Sequence, residues 1–554
     1  MPVTRRSVLT GAAAAAAGIV AGCSSRSGPA GEAGKPNILV LIVDEMRVPM
    51  WFPAQQDLDR MLPNIAKIRR GAVSFEQHYT AAVDCTAARG TMLTGLYAHQ
   101  TGCMLVSQST LSPLFPTWGS ILREQGYDAW YWGKWHLGRK PDTTPGALEQ
   151  YGFGGGTYPS PNGGQGEGLV ADSETADQFI NWLHGYSGRG PWCTTVSLLN
   201  PHDIEMWPKW PAAIPPIPRT LTDLPPNYET LEQISKKPGL QAAHIEESAL
   251  AFGKAEYGTD KARNAWIEMR NLYLYLQQQV DIQIGRVLDA LDAHPEVAAN
   301  TVIVFTSDHG DYAGSHGLHG KGGAAYDETI RVPLYVHDPR GLLSPKDTTA
   351  TRQQLTSSVD LTPLLMTIAA GGDSWRRDAR YEHLAGRLDL VALCRDASAP
   401  GRPWIAHTTD ESGVEEVAKL FNADAPSHVA AVRTAGAKYV SYSHFLDGKI
   451  QIDPSQPQEY ELYDYGTRDG SLELDNIAAN DSPLRTSMAA AHAQALAEIN
   501  QPLPARLKAA QEQGWADYFS LADNLESLQQ SRAALGDPLP STPPTNPYPE
   551  LGAG

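Results

Sequence analysis

Ile38-Leu39-Val40-Leu41-Ile42-Val43, introduced by Asn37, is an unbroken apolar run that stops abruptly at Asp44-Glu45. It is rich in β-branched residues, shows no polar alternation and is too short to cross a bilayer, so it predicts a strand buried on both faces. The same grammar returns far downstream, where Thr301-Val302-Ile303-Val304-Phe305-Thr306 runs into Ser307-Asp308-His309-Gly310. Two further strands are predicted at 127–132 and 192–199. The first leads into Gly133-Lys134-Trp135-His136-Leu137-Gly138 and the second ends in Asn200-Pro201-His202-Asp203. Strands of this kind build parallel sheets covered by helices, and in such sheets the ligand site lies beyond the carboxyl ends of the strands. Residues remote in sequence are therefore expected to converge.

The residues at these ends carry chemistry. Asp44 and Asp308 close two of the strands, and two carboxylates brought together repel unless a cation or basic groups neutralise them, which points to a hard divalent metal. Lys134 and His136 are two residues apart, a spacing that on an extended backbone places both side chains on one side. The glycine-rich loop 314–323 brings Lys321 within reach of a small anion. In Val83-Asp84-Cys85-Thr86-Ala87-Ala88-Arg89-Gly90, a lone thiol stands at a predicted helix start with an arginine four residues on, where a cysteine can serve as a nucleophile. Thiol, acids, arginine, lysines and histidines together are the parts that stabilise a tetrahedral oxyanion.

In order along the chain, Asp44-Glu45, Cys85-x-Ala-x-Arg89, Gly-Lys134-Trp-His136-Leu-Gly, Asn-Pro-His202-Asp, Ser-Asp308-His309-Gly and Gly-Lys321 resemble the type I, formylglycine-dependent sulfatases of the alkaline phosphatase superfamily. The similarity continues through Val280–Leu288, like the family's long helix before the second metal strand, through Glu328–Leu334, and through Ala431–Thr434 and Glu461–Asp464, like the closing strands of its smaller domain. It spans roughly residues 36 to 480. The resemblance implies an α/β fold with a large, mainly parallel sheet flanked by helices and a smaller C-terminal α+β domain.

It also implies a reaction, the hydrolysis of an organic sulfate monoester. Cys85 would be oxidised to formylglycine by a formylglycine-generating enzyme, and the hydrated aldehyde would attack sulfur and later re-form by breaking a carbon–oxygen bond. Metal ligands matching Asp44, Glu45, Asp308 and His309, together with the matured Cys85, are expected. Arg89, Lys134 and Lys321 would offset charge on the sulfate oxygens, His136 would help deprotonate the nucleophile, and His202 with Lys321 would protonate the departing oxygen. Three positions depart from the family pattern: Glu45 replaces an aspartate, His309 stands where many members carry asparagine, and Ala87-Ala88 replaces the commoner Pro-Ser. Oxygen donors with one imidazole favour calcium, with manganese or magnesium as alternatives. The same parts suit a phosphonate monoester or phosphodiester hydrolase of the superfamily. A non-catalytic surface lipoprotein that binds sulfated ligands is the reading from another class.

The amino terminus adds a cellular address. Thr4-Arg5-Arg6-Ser7 precedes an alanine-rich apolar stretch, the form of a twin-arginine signal, and Val20-Ala21-Gly22-Cys23 resembles a lipobox. Residues 1–22 are expected to be removed and Cys23 lipidated, giving an exported periplasmic or cell-surface lipoprotein held only by its lipid. Residues 23–35 would form a flexible tether, 36–395 the catalytic domain, 404–536 the smaller domain and 537–554 a proline-rich tail, with 396–403 between the domains. The 554 residues carry a formal charge of -18, and losing Arg5 and Arg6 makes the mature chain more acidic still. That argues against nucleic acid as a partner and against highly sulfated polyanions, leaving a small-molecule or saccharide sulfate ester. Of five cysteines, Cys103, Cys193 and Cys394 remain for at most one disulfide, so the fold does not depend on a disulfide framework. Trp207 to Asn227, tryptophan- and proline-rich after His202, is a candidate wall of the substrate pocket.

Overall fold

The computed structural model describes residues 34–106, 108–188, 190–209, 217–343, 351–410, 425–523 and 548. The expected signal at 1–22, Cys23, Trp210 and all of the tail but Tyr548 lie outside the described residues. Along the chain the strands are β1 (Asn37–Val43), β2 (Ala72–Phe75), β3 (His78–Tyr79), β4 (Ala82–Val83), β5 (Asp128–Gly133), β6 (Gly154–Gly155), β7 (Trp192–Leu198) and β8 (Thr301–Ser307). They continue as β9 (Leu334–His337), β10 (Thr351–Arg352), β11 (Thr356–Ser357), β12 (Ile405–Thr409), β13 (His428–Arg433), β14 (Ala437–Ser443) and β15 (Glu459–Asp464).

Eight of them form a mixed, mainly parallel sheet in the order β10-β2-β9-β8-β1-β7-β5-β6. β1 is central and parallel to both β7 and β8, so its unbroken apolar run is explained: neither face meets water. Ile38, Val40 and Ile42 enter one core with Trp118, Tyr131 and Trp135, whereas Leu39, Leu41 and Val43 enter another. Each such side chain stabilises the fold by roughly 1.5–3 kcal/mol. Val43 is level with Leu198 and Ser307, and Gly133 with Ser197, so β1, β5, β7 and β8 all finish at the same edge.

Four helices matter for the site: α1 (Cys85–Thr94), α2 (Gly168–Gly185), α3 (Gly239–Phe252) and α4 (Asp260–Asp292). α4 starts at an N-cap, Thr259, whose hydroxyl accepts from the amide of Ala262. Over its second half, Val280, Ile284, Val287 and Leu291 pack with Phe179 and Leu183 of α2 on Leu39, Leu41 and Val43. No helix among the described residues is long and apolar enough to cross a membrane.

A second sheet, β15-β14-β13-β12-β4, is antiparallel except at its edge, where β4 pairs parallel with β12. Its C-terminal strands are covered by α5 (Pro483–Ile499), through Met488, Ala495 and Ile499. Because β4 directly precedes Cys85, this sheet also fixes the start of α1. From Pro36 onward the chain forms one compact unit. The stretch 396–403 is tied down by buried Arg402, whose guanidinium donates to Asp360 at 2.7 and 2.8 Å and to Glu498 at 3.0 Å.

Candidate active site

Cys85 is the first residue of α1, and Arg89, one turn later, projects to the same side of the helix. The Arg89 guanidinium is fully buried and binds four strand ends at once. Nη2 donates to Asp44 Oδ2 at 2.7 Å, Nε lies 3.0 Å from Asp308 Oδ2, and Nη1 donates to the carbonyl of Lys134 and to Ser197 Oγ at 2.7 and 2.9 Å. Those partners follow or end β1, β8, β5 and β7. Ser197 is a contact that nothing in the sequence had singled out.

Around the thiol, His309 Nε2 lies 3.1 Å, Lys134 Nζ 3.7 Å and Asp44 Oδ1 3.9 Å from Cys85 Sγ, and Lys134 Nζ also pairs with Asp44 Oδ2 at 2.8 Å. A second group sits beside it. Lys321 Nζ bridges Glu45 at 3.0 Å and Glu205 at 2.7 Å, and His202 Nε2 is 3.2 Å from Glu205. Cys85, His136, His202, Glu205 and Lys321 line one pocket, while Arg89 and Lys134 are fully buried in contact with Asp44. Every expected catalytic residue is therefore brought to this place. Glu205 was not expected. Its only sequence signal is its position three residues after His202, on the same turn of 3-10 helix.

The Lys134–His136 spacing works differently from the extended backbone predicted for it. β5 stops at Gly133, whose φ of 91° and 1.9 Å approach of a would-be Cβ to the carbonyl oxygen of Ser197 require glycine. His136 has φ 57°, and its amide donates to Asp142 Oδ1 at 2.9 Å. The two side chains reach the site through a turn held by Asp142. Glu45 is likewise left-handed at φ 66°, fixed by its amide to Asp308 Oδ1 and by the Tyr273 hydroxyl of α4, which donates to its carbonyl at 2.5 Å. The glycine-rich loop is buried and Lys321 in it is paired on both sides, so it acts as a fixed cradle. Trp207 packs against Trp266, ring centroids 4.7 Å apart, inside an apolar core and does not form the pocket wall expected of it. Cys103, Cys193 and Cys394 are buried, and none forms a disulfide among the described residues.

The charges are arranged by burial and neighbours. Burial opposes ionisation of Asp44, but Lys134 and Arg89 outweigh it and hold its carboxyl well below the usual range. Burial pushes Glu45 well above its range despite Lys321. Burial and then Asp44 push the Cys85 thiol up to about 12, which leaves little thiolate at neutral pH. Burial and then Lys134 keep His136 and His202 well below the ordinary imidazole range, hence neutral. Lys134 and Lys321 stay charged because their acidic surroundings outweigh burial.

This donor set suits a cation. Ligand atoms of Asp44, Cys85, Asp308 and His309 lie within 4.8 Å of one another, all buried. Glu45 falls instead into a group with Asp44 and His202. Its Oε1 is buried without a hydrogen-bond donor, beside another buried carboxyl, Asp311. Carboxyl oxygens in such a place need either a shared proton, which the upward shift of Glu45 and its hydrogen bond with Asp311 allow, or a positive charge. His99, Asp410 and His428 form another buried trio, already satisfied by direct contacts of 2.9 and 2.6 Å from Asp410 to the two rings.

A family model described as Sulfatase matches residues 36–372. A choline-sulfatase from Rhizobium meliloti strain 1021 is 25% identical over 491 residues, covering 81% of this chain and 83% of its own. Among solved structures, a 2-O GAG sulfatase superposes with TM-score 0.60 at 22% identity, covering 83% of this chain and 91% of its own. A phosphonate monoester hydrolase of Agrobacterium radiobacter superposes with TM-score 0.62 at 21% identity, covering 84% and 96%.

Proposed function

The chain belongs to the sulfatase family, and from that premise we propose that it hydrolyses an organic sulfate monoester, with Cys85 matured to formylglycine and a divalent cation, calcium first, held by Asp44, Asp308 and His309. The observation that carries this reading is the meeting of Asp44, Lys134 and His309 within 3.9 Å of Cys85 Sγ, on a pocket that Lys321, His136 and His202 also line.

Formylglycine supplies the attacking oxygen and the cation supplies Lewis-acid charge. Lys321 Nζ receives a sulfate oxygen while held in place by its contacts with Glu45 and Glu205. Lys134 stands against both Asp44 and Cys85 and adds positive charge where the anion builds up. Neutral His136 accepts the proton of the nucleophile, and the charged Lys321 Nζ, beside neutral His202, supplies the proton that reaches the departing alcohol, with Glu205 holding both in place. Arg89 aligns the two aspartates.

Turnover of 4-nitrophenyl sulfate by protein matured in a native-like host tests the reading. Activity is expected, together with an aldehyde mass on the peptide spanning Cys85, loss of activity in Cys85→Ala, and reversible loss on chelation. An unmodified Cys85 in active protein would overturn the maturation, and absence of sulfate ester cleavage would overturn the activity. The likeness to a phosphonate monoester hydrolase supports a second reading, which a phenyl phosphonate ester turned over faster than the sulfate would favour. The leader residues 1–22 place the enzyme in the cell envelope on this reading. Lysine at both Arg5 and Arg6 is then expected to retain it in the cytoplasm, as fractionation would reveal.

A further inference from the structure

One wall of the pocket is a single face of α3, from which His244, Ser248 and Ala251 project at helical spacing. His244 also reaches the loop that carries Lys321, and that loop has little shape of its own. Gly320, Gly322 and Gly323 flank the lysine, all three with left-handed φ, and none offers a side chain to anchor it. Lys321 itself is a charge on a flexible four-carbon stem. Where its ammonium lies is therefore decided by what grips the backbone on each side.

The grip is on carbonyl groups, and one residue takes three of them. Tyr312, fully buried shortly after β8, donates its amide to the carbonyl of Gly320 at 2.9 Å. Its hydroxyl donates to the carbonyl of Gly322 at 2.7 Å and lies 3.3 Å from that of Ala324. The residue before Lys321 and the residue after it are thus bonded to the same tyrosine. Burial keeps the phenol well above its usual range, so the hydroxyl remains a donor. From α3, His244 Nε2 donates to the carbonyl of His319 at 3.2 Å, and a Cβ on Gly323 would stand only 2.7 Å from that of His244. Tyr312 is in turn fixed from β1: Arg47, two residues beyond Glu45, donates through Nη1 to the carbonyls of Asp311 and Tyr312 at 3.1 and 2.7 Å. The segment that supplies Glu45 as a partner of Lys321 therefore also holds the residue that holds the lysine's loop.

We propose that Tyr312 is a positioning residue: through the Gly322 carbonyl its hydroxyl sets the Lys321 ammonium between Glu45 and Glu205, where it can give a proton to the departing oxygen. The inference rests on the sulfatase reading above and adds a residue to its proton path. Tyr312 makes and breaks no bond of the substrate. As the ester S–O bond breaks, its electron pair stays on the departing oxygen and the proton comes from Lys321 Nζ.

Tyr312→Phe removes the hydroxyl and keeps the ring, which packs edge-on against His244 and Tyr326 with centroids 6.1 and 6.2 Å away. The matured, metal-loaded full chain is assayed with phenyl sulfate and 4-nitrophenyl sulfate. Nitrophenolate departs readily without a proton, whereas phenolate, whose acid ionises at about 10, is helped by one. In the variant, kcat/KM for phenyl sulfate is expected to fall by about tenfold or more and that for 4-nitrophenyl sulfate by about threefold or less. The ratio of the two is unaffected by any loss of folded protein. In a Lys321→Ala background the same substitution is expected to cost nothing further, because the group it positions is gone. Equal losses on the two esters, no loss on either, or an undiminished loss without Lys321 overturns the proposal. Any of these in a parent that cleaves 4-nitrophenyl sulfate sinks this inference alone, and a parent that cleaves neither ester sinks the sulfatase reading with it.

Discussion

Arg89 shows how one side chain organises a site. Its planar guanidinium offers five donors in fixed directions, and here they meet Asp44, Asp308, Ser197 and the carbonyl of Lys134. A lysine has the charge without the fork. Arg89→Lys is therefore expected to leave one of the two buried aspartates without its partner, costing about 3 kcal/mol of stability in urea unfolding. It should also lower kcat for 4-nitrophenyl sulfate by on the order of a hundredfold through misplacement of the carboxylates. A variant within twofold of the parent in rate and unchanged in midpoint would rule the anchoring role out. The sequence marked Arg89 through its spacing from Cys85, but half of its partners were invisible: the Lys134 carbonyl has no residue identity to read, and Ser197 is one hydroxyl within a strand that reads as structural.

At the scale of elements, the strands were the readable part. β1 has no polar position to misplace, and its neighbours on both sides make every second residue serve a different core. Leu39→Ala, in the core shared with α2 and α4, is expected to destabilise the fold by about 2–5 kcal/mol, seen as a lower denaturant midpoint with an unchanged m-value. A loss under 1 kcal/mol would mean that the site collapses around the gap. The turn out of β5 reads as extended in the sequence, since Lys-x-His has the same spacing on a strand and in a turn. What decided it was Gly133 pressed against the Ser197 carbonyl, together with Asp142 accepting from the His136 amide. The role of α3 was not legible at all, because its polar face is polar for the pocket and reads like a solvent face.

Across the whole molecule, buried ion pairs join the two sheets. Lys438 of β14 pairs with Asp327, which follows β8 by way of the Lys321 loop, at 2.7 Å, and with Glu473 at 2.5 Å. Burial works against Asp327 ionisation, but Lys438 and Arg433 outweigh it and hold the carboxyl down at about 2. A carboxyl depressed in the folded state contributes stability that is complete above its ordinary value near 4 and is lost as the pH falls through about 2. About 2 kcal/mol of acid-sensitive stability should therefore disappear between pH 5 and pH 2, and Asp327→Asn should flatten that limb while lowering stability at neutral pH. Parallel acid limbs for the two proteins would show that the pair carries no such linkage. The same principle of joining appears at Arg402, where Asp360 and Glu498 hold the stretch between the domains against the body.

Local sequence determined the buried strands, the carboxylates, bases and thiol at their ends, and the family resemblance, because an apolar run and the residue that stops it are properties of neighbouring positions. Tertiary structure decided which of those groups touch. It placed Arg89 at the junction of four strand ends, gave Lys321 two carboxylate partners, put Trp207 in the core and made one face of α3 a pocket wall. Those outcomes depend on register between strands and on contacts between segments from some forty to more than two hundred residues apart, and such distances are fixed only when the sheet is assembled.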